Sequence, residues 1–157
     1  ACGFSVLRFN FRGVGKSAGV FDAGYGERDD LRAAIEYLAA DHDEILVGGF
    51  SFGAWIALEV GAQDARVSRL LGIGLPANLF GFEYLRRISK PLLVVQGERD
   101  AYCNLAQLRK LIDAAGNSAR LRVVAGADHF FSGQLESVMT TVAAFAAAHT
   151  LSHTVGA

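Results

Sequence analysis

Two hydrophobic periods alternate along this chain, and that alternation limits its fold more than any other feature. Five short apolar runs, Val6–Phe11, Ile45–Phe50, Leu70–Gly74, Leu92–Gln96 and Leu121–Ala125, are rich in Val, Leu, Ile or Phe and bounded by Gly, Pro or charge. Their hydrophobicity is continuous rather than alternating, as in strands buried on both faces. Segments with the helical period lie between them. Leu31, Ala34, Ile35 and Leu38 share one helical face, and so do Leu105, Leu108, Leu111 and Ile112. Leu135, Val138, Met139 and Val142 repeat the spacing, continued by Phe145 and Ala146, while Phe52–Ala62 is apolar almost all round. Strands alternating with helices predict βαβ units with right-handed crossovers, hence a three-layer α/β/α fold on a mostly parallel sheet. The connection from Leu75 to Lys90 is irregular and too short for a separate lid domain.

Composition narrows the function classes. The chain has 157 residues, 52% of them hydrophobic, which suits a single domain over 1–157 with a frayed tail from Thr150. Fifteen basic against sixteen acidic residues leave a net charge of -1, so there is no electrostatic footprint for nucleic acid or anionic lipid. No apolar run approaches the 18 or so residues of a membrane span, and the low net charge with high apolar content excludes disorder. Cys2 and Cys103 stand in no metal-type spacing and make no disulfide framework. A cytoplasmic location is expected. The chain opens Ala-Cys-Gly-Phe without Met, just ahead of an apolar run, so an N-terminal piece is expected to be missing and a signal sequence can be neither seen nor excluded.

Gly49-Phe50-Ser51-Phe52-Gly53 is a G-x-S-x-G sequence between an expected strand and an expected helix. That context is what a nucleophile elbow requires: a tight turn projects the Ser51 hydroxyl, with small residues on either side. The Phe52 N–H, at the helix N-terminus, can then donate to an oxyanion. A serine hydroxyl needs a general base, and the base needs an orienting acid. Among four histidines, His42 lies at the wrong end of its strand, His149 ends the last helix and His153 is in the tail. His129 follows the fifth apolar run directly and shares the strand-end edge with Ser51. Asp100, just after the fourth run, is the preferred acid over Glu98 and Asp128, with Asp128 expected to face solvent or cap its loop. The order Ser51, Asp100, His129 is that of the α/β-hydrolase fold.

The chain resembles the α/β-hydrolase superfamily from its fourth strand to its C-terminus. Asn10-Phe11-Arg12-Gly13-Val14-Gly15-Lys16-Ser17 resembles the D/N-x-R-G-x-G-x-S loop of that family, and Gly97-Glu98-Arg99-Asp100 and Ala127-Asp128-His129-Phe130-Phe131 resemble its acid and histidine segments. The closest likeness is to small, capless hydrolases akin to dienelactone hydrolases or acyl-peptidase catalytic domains. In the family, a loop after the third strand supplies a second oxyanion donor, and that strand separates the fourth from the fifth. Nothing here corresponds to it. Either Val6–Phe11 pairs directly with Ile45–Phe50, or an edge is left open.

Gly13-Val14-Gly15-Lys16-Ser17 also ends like a phosphate-binding loop, but Asn10 stands where that loop needs Gly, and a loop-like stretch follows. Gly13, Gly15 and Ala18 fit a dinucleotide G-x-G-x-x-A pattern equally weakly. Arg12 is read as a structural ion-pair partner. Leu75 and Phe130 are candidate substrate contacts; Leu79, Phe80 and Phe82 divide evenly between pocket and core, and Phe131 is assigned to the core. The resulting expectation is a serine hydrolase acting on an ester, peptide or thioester of small-molecule size. It needs no metal or organic cofactor, and its oligomeric state is unreadable. A non-catalytic hydrolase-fold scaffold is the alternative, and a phosphate-binding protein the distant third.

Overall fold

A computed structural model describes residues 4–148; Cys2, His149, His153 and the tail from Thr150 lie outside them. The order is α1 (Tyr25–Ala39), β1 (Ile45–Phe50), α2 (Phe52–Gln63), β2 (Val67–Ile73), a 3₁₀ turn (Glu83–Arg87), β3 (Leu92–Gly97), α3 (Leu105–Ala114), a short 3₁₀ turn (Gly116–Ser118), β4 (Ala119–Val124) and α4 (Leu135–Ala147). The four strands form one parallel sheet in the order β1-β2-β3-β4. Each strand joins the sheet on the same side of its predecessor. Right-handed crossovers then put α2 and α3 on one face.

The register explains the two-sided burial. Val47, Leu70, Leu92 and Ala119 lie side by side across the sheet and face α1, α2 and α3 in the larger core. On the next rung, Leu71 and Leu93 point the other way, into a smaller core under α4 with Val95, Val124 and Val138. Helix α2 is buried on most of its circumference through Ala54, Ile56, Leu58 and Val60. Its nearly continuous apolar sequence follows from lying between the sheet and α1.

Val6–Phe11 is not a strand. The segment has no ladder partner among the described residues, and Phe4 to Asn10 are exposed. An apolar run becomes a strand only where a neighbour supplies the ladder. Here the contacts are aromatic instead: Phe11 packs edge-on to Phe9 at 5.2 Å and to Phe52 at 6.0 Å. Among the described residues, strand β1 therefore pairs on one side only, with β2. Helix α4 departs from expectation too. Val138 is buried, and Val142 and Phe145 pack against the smaller core, but Leu135 and Met139 are exposed. The apolar stripe of α4 is wider than the part of the sheet it covers. At its C-terminal end, Arg69 of β2 donates to the carbonyls of Phe145 and Ala146, supplying partners to groups a helix end leaves open.

The segment before α1 is tied down by charge. Arg12 forms a bidentate pair with Asp30, which also accepts the Arg12 backbone N–H at 2.9 Å. This is the structural role expected for Arg12. Gly26 leaves room for it, because a Cβ there would displace the guanidinium. Glu27 is fully buried and accepts the N–H groups of Asp22 at 2.8 Å and Gly24 at 2.7 Å. Burial pushes its carboxyl up, but these donors outweigh it and hold the group below its ordinary 4.5. The Arg12 hydrogen bonds hold Asp30 below 3.8 in the same way.

Groups whose folded pKa is depressed stabilise the fold above their unfolded pKa and lose that contribution as pH falls through the folded value. Urea unfolding midpoints should therefore hold steady above about pH 5 and fall below about pH 4. Glu27→Gln, which cannot titrate, should flatten that acid slope. An unchanged slope would assign the acid sensitivity to other carboxyls.

Candidate active site

All four strands end at one edge, and the candidate residues follow three of those ends. Ser51 lies between β1 and α2 with φ 53° and ψ -122°, a positive-φ conformation that a non-glycine residue adopts only when its surroundings impose it. The Ser51 N–H donates to the Ile73 carbonyl at 2.9 Å, which anchors the turn to β2. Its steric demand falls on Gly49, where a Cβ would collide with the backbone of Gly53 and Ala54. A Cβ at Gly53 would meet nothing within 4 Å, so the requirement for small residues on both sides of the serine holds on one side only. The Phe52 N–H is among the first N–H groups of α2, which have no intrahelical acceptor.

His129 joins the other two candidates. Its Nε2 is 2.9 Å from Ser51 Oγ, and its Nδ1 is 2.8 Å from Asp100 Oδ2. The His129 and Asp100 side chains are 7% and 0% exposed, so their contact is shielded from water. Asp100 also accepts the Tyr102 N–H at 2.8 Å and the Gln96 side-chain amide at 2.6 Å. With donors on its other contacts, Asp100 presents an acceptor to the ring. Nδ1 then carries the proton, and Nε2 is left to accept from the Ser51 hydroxyl. A hydroxyl so placed can lose its proton as it attacks a carbonyl carbon.

The other candidate carboxylates do different work. Glu98 accepts the Gly126 N–H at 2.6 Å, linking the acid and histidine loops. Asp128 caps its own loop by accepting the N–H groups of Phe130 and Ser132, each at 3.0 Å, and these bonds hold its carboxyl below the usual range. The histidine loop lies directly on Gly97, where a Cβ would collide with the carbonyls of Asp128 and Ala127. Cys103 is buried, and burial raises its thiol to about 11, which suits an inert side chain.

Leu75 does not reach the surface. It is fully buried in the larger core and supports the site from below, because its chain turns inward straight after β2. Phe130 is 65% exposed and packs edge-on to the His129 ring at 5.2 Å. Phe82 and Phe131 are core residues; Leu79 is exposed, and Phe80 stacks on Trp55 at 4.2 Å. Sequence reasoning gave no role to Phe50, Tyr102 or Gln96. Phe50 and Tyr102 contact the imidazole with ring centroids at 5.0 and 4.7 Å. The available signal for Phe50 was its place inside the G-x-S-x-G sequence. For Gln96 it was an amide ending an otherwise apolar strand.

Residues 13–17 make no phosphate cradle. Helix α1 begins only at Tyr25, and the Ser17 hydroxyl is committed to the Asn10 carbonyl at 2.9 Å. No cluster of three or more His, Cys, Asp or Glu side chains that could hold a metal ion occurs among the described residues. No described helix is long and apolar enough to cross a membrane.

Comparison with known proteins agrees with this architecture. Residues 2–155 match the family model of the alpha/beta hydrolase domain. An uncharacterised protein of Rickettsia prowazekii is 34% identical over 145 residues, covering 85% of this chain and 61% of that protein. The structure of an alpha-beta serine hydrolase homologue from Coxiella burnetii superposes with a TM-score of 0.79 at 36% identity, covering 87% of this chain and 66% of the other. A Xanthomonas campestris protein, described as a serine hydrolase without lid, gives 0.75 at 34% identity, covering 86% and 62%. The chain belongs to the α/β-hydrolase family, and it spans somewhat under two thirds of the length of these relatives.

Gly97→Ala should displace the histidine loop, because a backbone carbonyl cannot yield as a flexible side chain can. A shift of about 1 Å in a catalytic group costs about 10²-fold in rate. The rate of Ser51 modification by a fluorophosphonate should fall on that scale while the circular dichroism spectrum is retained. A wild-type rate would show that the histidine loop tolerates the added methyl.

Proposed function

We propose that this chain is the catalytic part of a serine esterase, with Ser51 as nucleophile, His129 as general base and acid, and Asp100 as the orienting acid. The observation that carries this reading is the unbroken contact from Asp100 through His129 to Ser51, at 2.8 and 2.9 Å. Ser51 Oγ bonds to the ester carbonyl carbon as its proton passes to His129 Nε2, and the carbonyl electron pair moves onto oxygen. The Phe52 N–H and the N-terminus of α2 stabilise that oxyanion. The tetrahedral adduct collapses, the carbon–oxygen bond to the alcohol breaks, and the alcohol leaves with the proton from Nε2. Water then repeats the sequence on the acyl-enzyme, releasing the acid and restoring the Ser51 hydroxyl.

The surroundings favour a small apolar ester. Phe21, Phe50 and Phe130 are exposed, and their rings border Phe52 on one side and His129 on the other. The connection after β2 turns into the core through Leu75, Phe82 and Leu85, which leaves the serine approachable, in keeping with the lidless relative. A peptide or thioester carbonyl would be attacked by the same steps.

Intact-mass analysis after fluorophosphonate treatment should show a single adduct, absent in Ser51→Ala. Hydrolysis of p-nitrophenyl acetate should fall by about 10⁴-fold in Asp100→Asn, which inverts the tautomer that Asp100 enforces. A folded wild-type chain that takes no adduct would support the scaffold reading, in which the fold is kept without turnover.

A further inference from the structure

Gln96 ends β3, and its side chain is fully buried. It spans two fixed points. Its Oε1 accepts the backbone N–H of Leu75 at 2.8 Å, and its Nε2 donates to Asp100 Oδ2 at 2.6 Å. The two ends of a side-chain amide are usually interchangeable by a flip. Here they are not, because a peptide N–H can only donate. The atom facing Leu75 must be the oxygen, so the atom facing Asp100 must be the NH₂ group. The same carboxylate oxygen then meets His129 Nδ1 at 2.8 Å.

We propose that Gln96 is a positioning residue that fixes the direction of every hydrogen bond from the Leu75 peptide to the Ser51 hydroxyl. The proposal rests on the Ser51–His129–Asp100 reading above and adds a fourth side chain to it. Direction runs from the Leu75 N–H to the Gln96 oxygen, from the Gln96 NH₂ to Asp100, from His129 Nδ1–H to the same oxygen, and from the Ser51 hydroxyl to Nε2. Gln96 touches neither the serine nor the space a substrate would occupy. It acts by holding one oxygen of Asp100 against His129 Nδ1, while the Tyr102 N–H holds the other oxygen at 2.8 Å. Asp100 and His129 follow different strands, so their side chains meet only across the strand-end edge.

Glutamate at this position provides a switchable isostere. Protonated, it can accept from Leu75 with one oxygen and donate to Asp100 with the other, as glutamine does. Ionised, it sets a second negative charge against Asp100, and two carboxylates in hydrogen-bonding contact cannot both stay charged in place. The other ionisable groups near Asp100 are His129 and Tyr102, which the variant and the wild type share, and the buried Cys103 thiol, raised to about 11, which remains neutral between pH 5.5 and 8.5.

The test is the rate of Ser51 labelling by a fluorophosphonate, measured from about pH 5.5 to 8.5 with folding followed by circular dichroism at each pH. Gln96→Leu should be slowed about 10–100-fold at every pH, by analogy with the loss of an outer partner of a metal-ligating histidine. Gln96→Glu should approach the wild-type rate at pH 5.5, and its rate relative to wild type should fall at least about 10-fold by pH 8.5. A merely structural role would lower the melting temperature without this pH-dependent ratio. If Gln96→Leu does not fold, Gln96→Glu carries the test alone. A Glu-to-wild-type ratio constant with pH, or wild-type labelling of Gln96→Leu, overturns the role of Gln96 and leaves the three-residue reading intact. A wild-type chain that is not labelled at Ser51 overturns both.

Discussion

Everything at the candidate site depends on four strands running in the same direction. In a parallel sheet each strand must be followed by a crossover, so every strand ends at the same edge and its chain turns there. Ser51, Asp100 and His129 follow β1, β3 and β4 at that edge, although they are far apart in sequence. Backbone bonds stitch the edge laterally: Ser51 N–H to Ile73, Gly74 N–H to Val95, Glu98 N–H to Val124 and Arg99 N–H to Ala127. The first three extend the sheet one step past its last formal pair, and the fourth joins the two loops beyond it. The loops therefore begin from fixed positions, which a site needing sub-ångström placement requires.

Close approach then does what flexible loops cannot. Gly49 lets the turn at Ser51 close upon the first residues of α2, and Gly97 lets the histidine loop lie on the end of β3. The positive-φ backbone at Ser51 is held by its neighbours rather than by its own preference. Rings surround the imidazole at 4.7 to 5.2 Å, from Phe50, Tyr102 and Phe130, and restrict how it can rotate. Apolar walls and a buried polar chain are complementary here. The walls keep water away from the His129–Asp100 contact, and in that low dielectric an unsatisfied polar group would be costly.

The entry segment is held differently. The described residues before α1 make no ladder, and the Arg12–Asp30 pair, the buried Glu27 and the contacts of Phe11 and Phe21 with Phe52 hold them instead. These contacts run to α1 and to the residue after the serine, so this segment forms one apolar border of the site without belonging to the sheet. Strand β1 is therefore left with one ladder partner among the described residues.

Much of this was legible in the sequence because its signals are local. Continuous apolar runs marked β1 to β4, the 3.6 period marked the helices, and a G-x-S-x-G sequence between strand and helix marked a tight turn at Ser51. With strands parallel, the candidate acid and base could be placed at the same edge from order alone. The same reasoning made Val6–Phe11 a strand, because composition reports burial and a ladder needs a neighbour that local sequence does not specify. It also made Leu75 a candidate substrate contact, whereas its side chain is fully buried, since the direction of a side chain after a strand depends on where the following turn folds. Gln96, Phe50 and Tyr102 were invisible for a related reason. Their significance lies in contacts between elements, and hydrogen-bond direction and ring packing around His129 exist only once three strand ends are brought together. Sequence thus determined which elements form and which reactive groups they carry. Tertiary structure alone decided which of those groups meet, and in which orientation, because such contacts are made across chain separations that periodicity does not span.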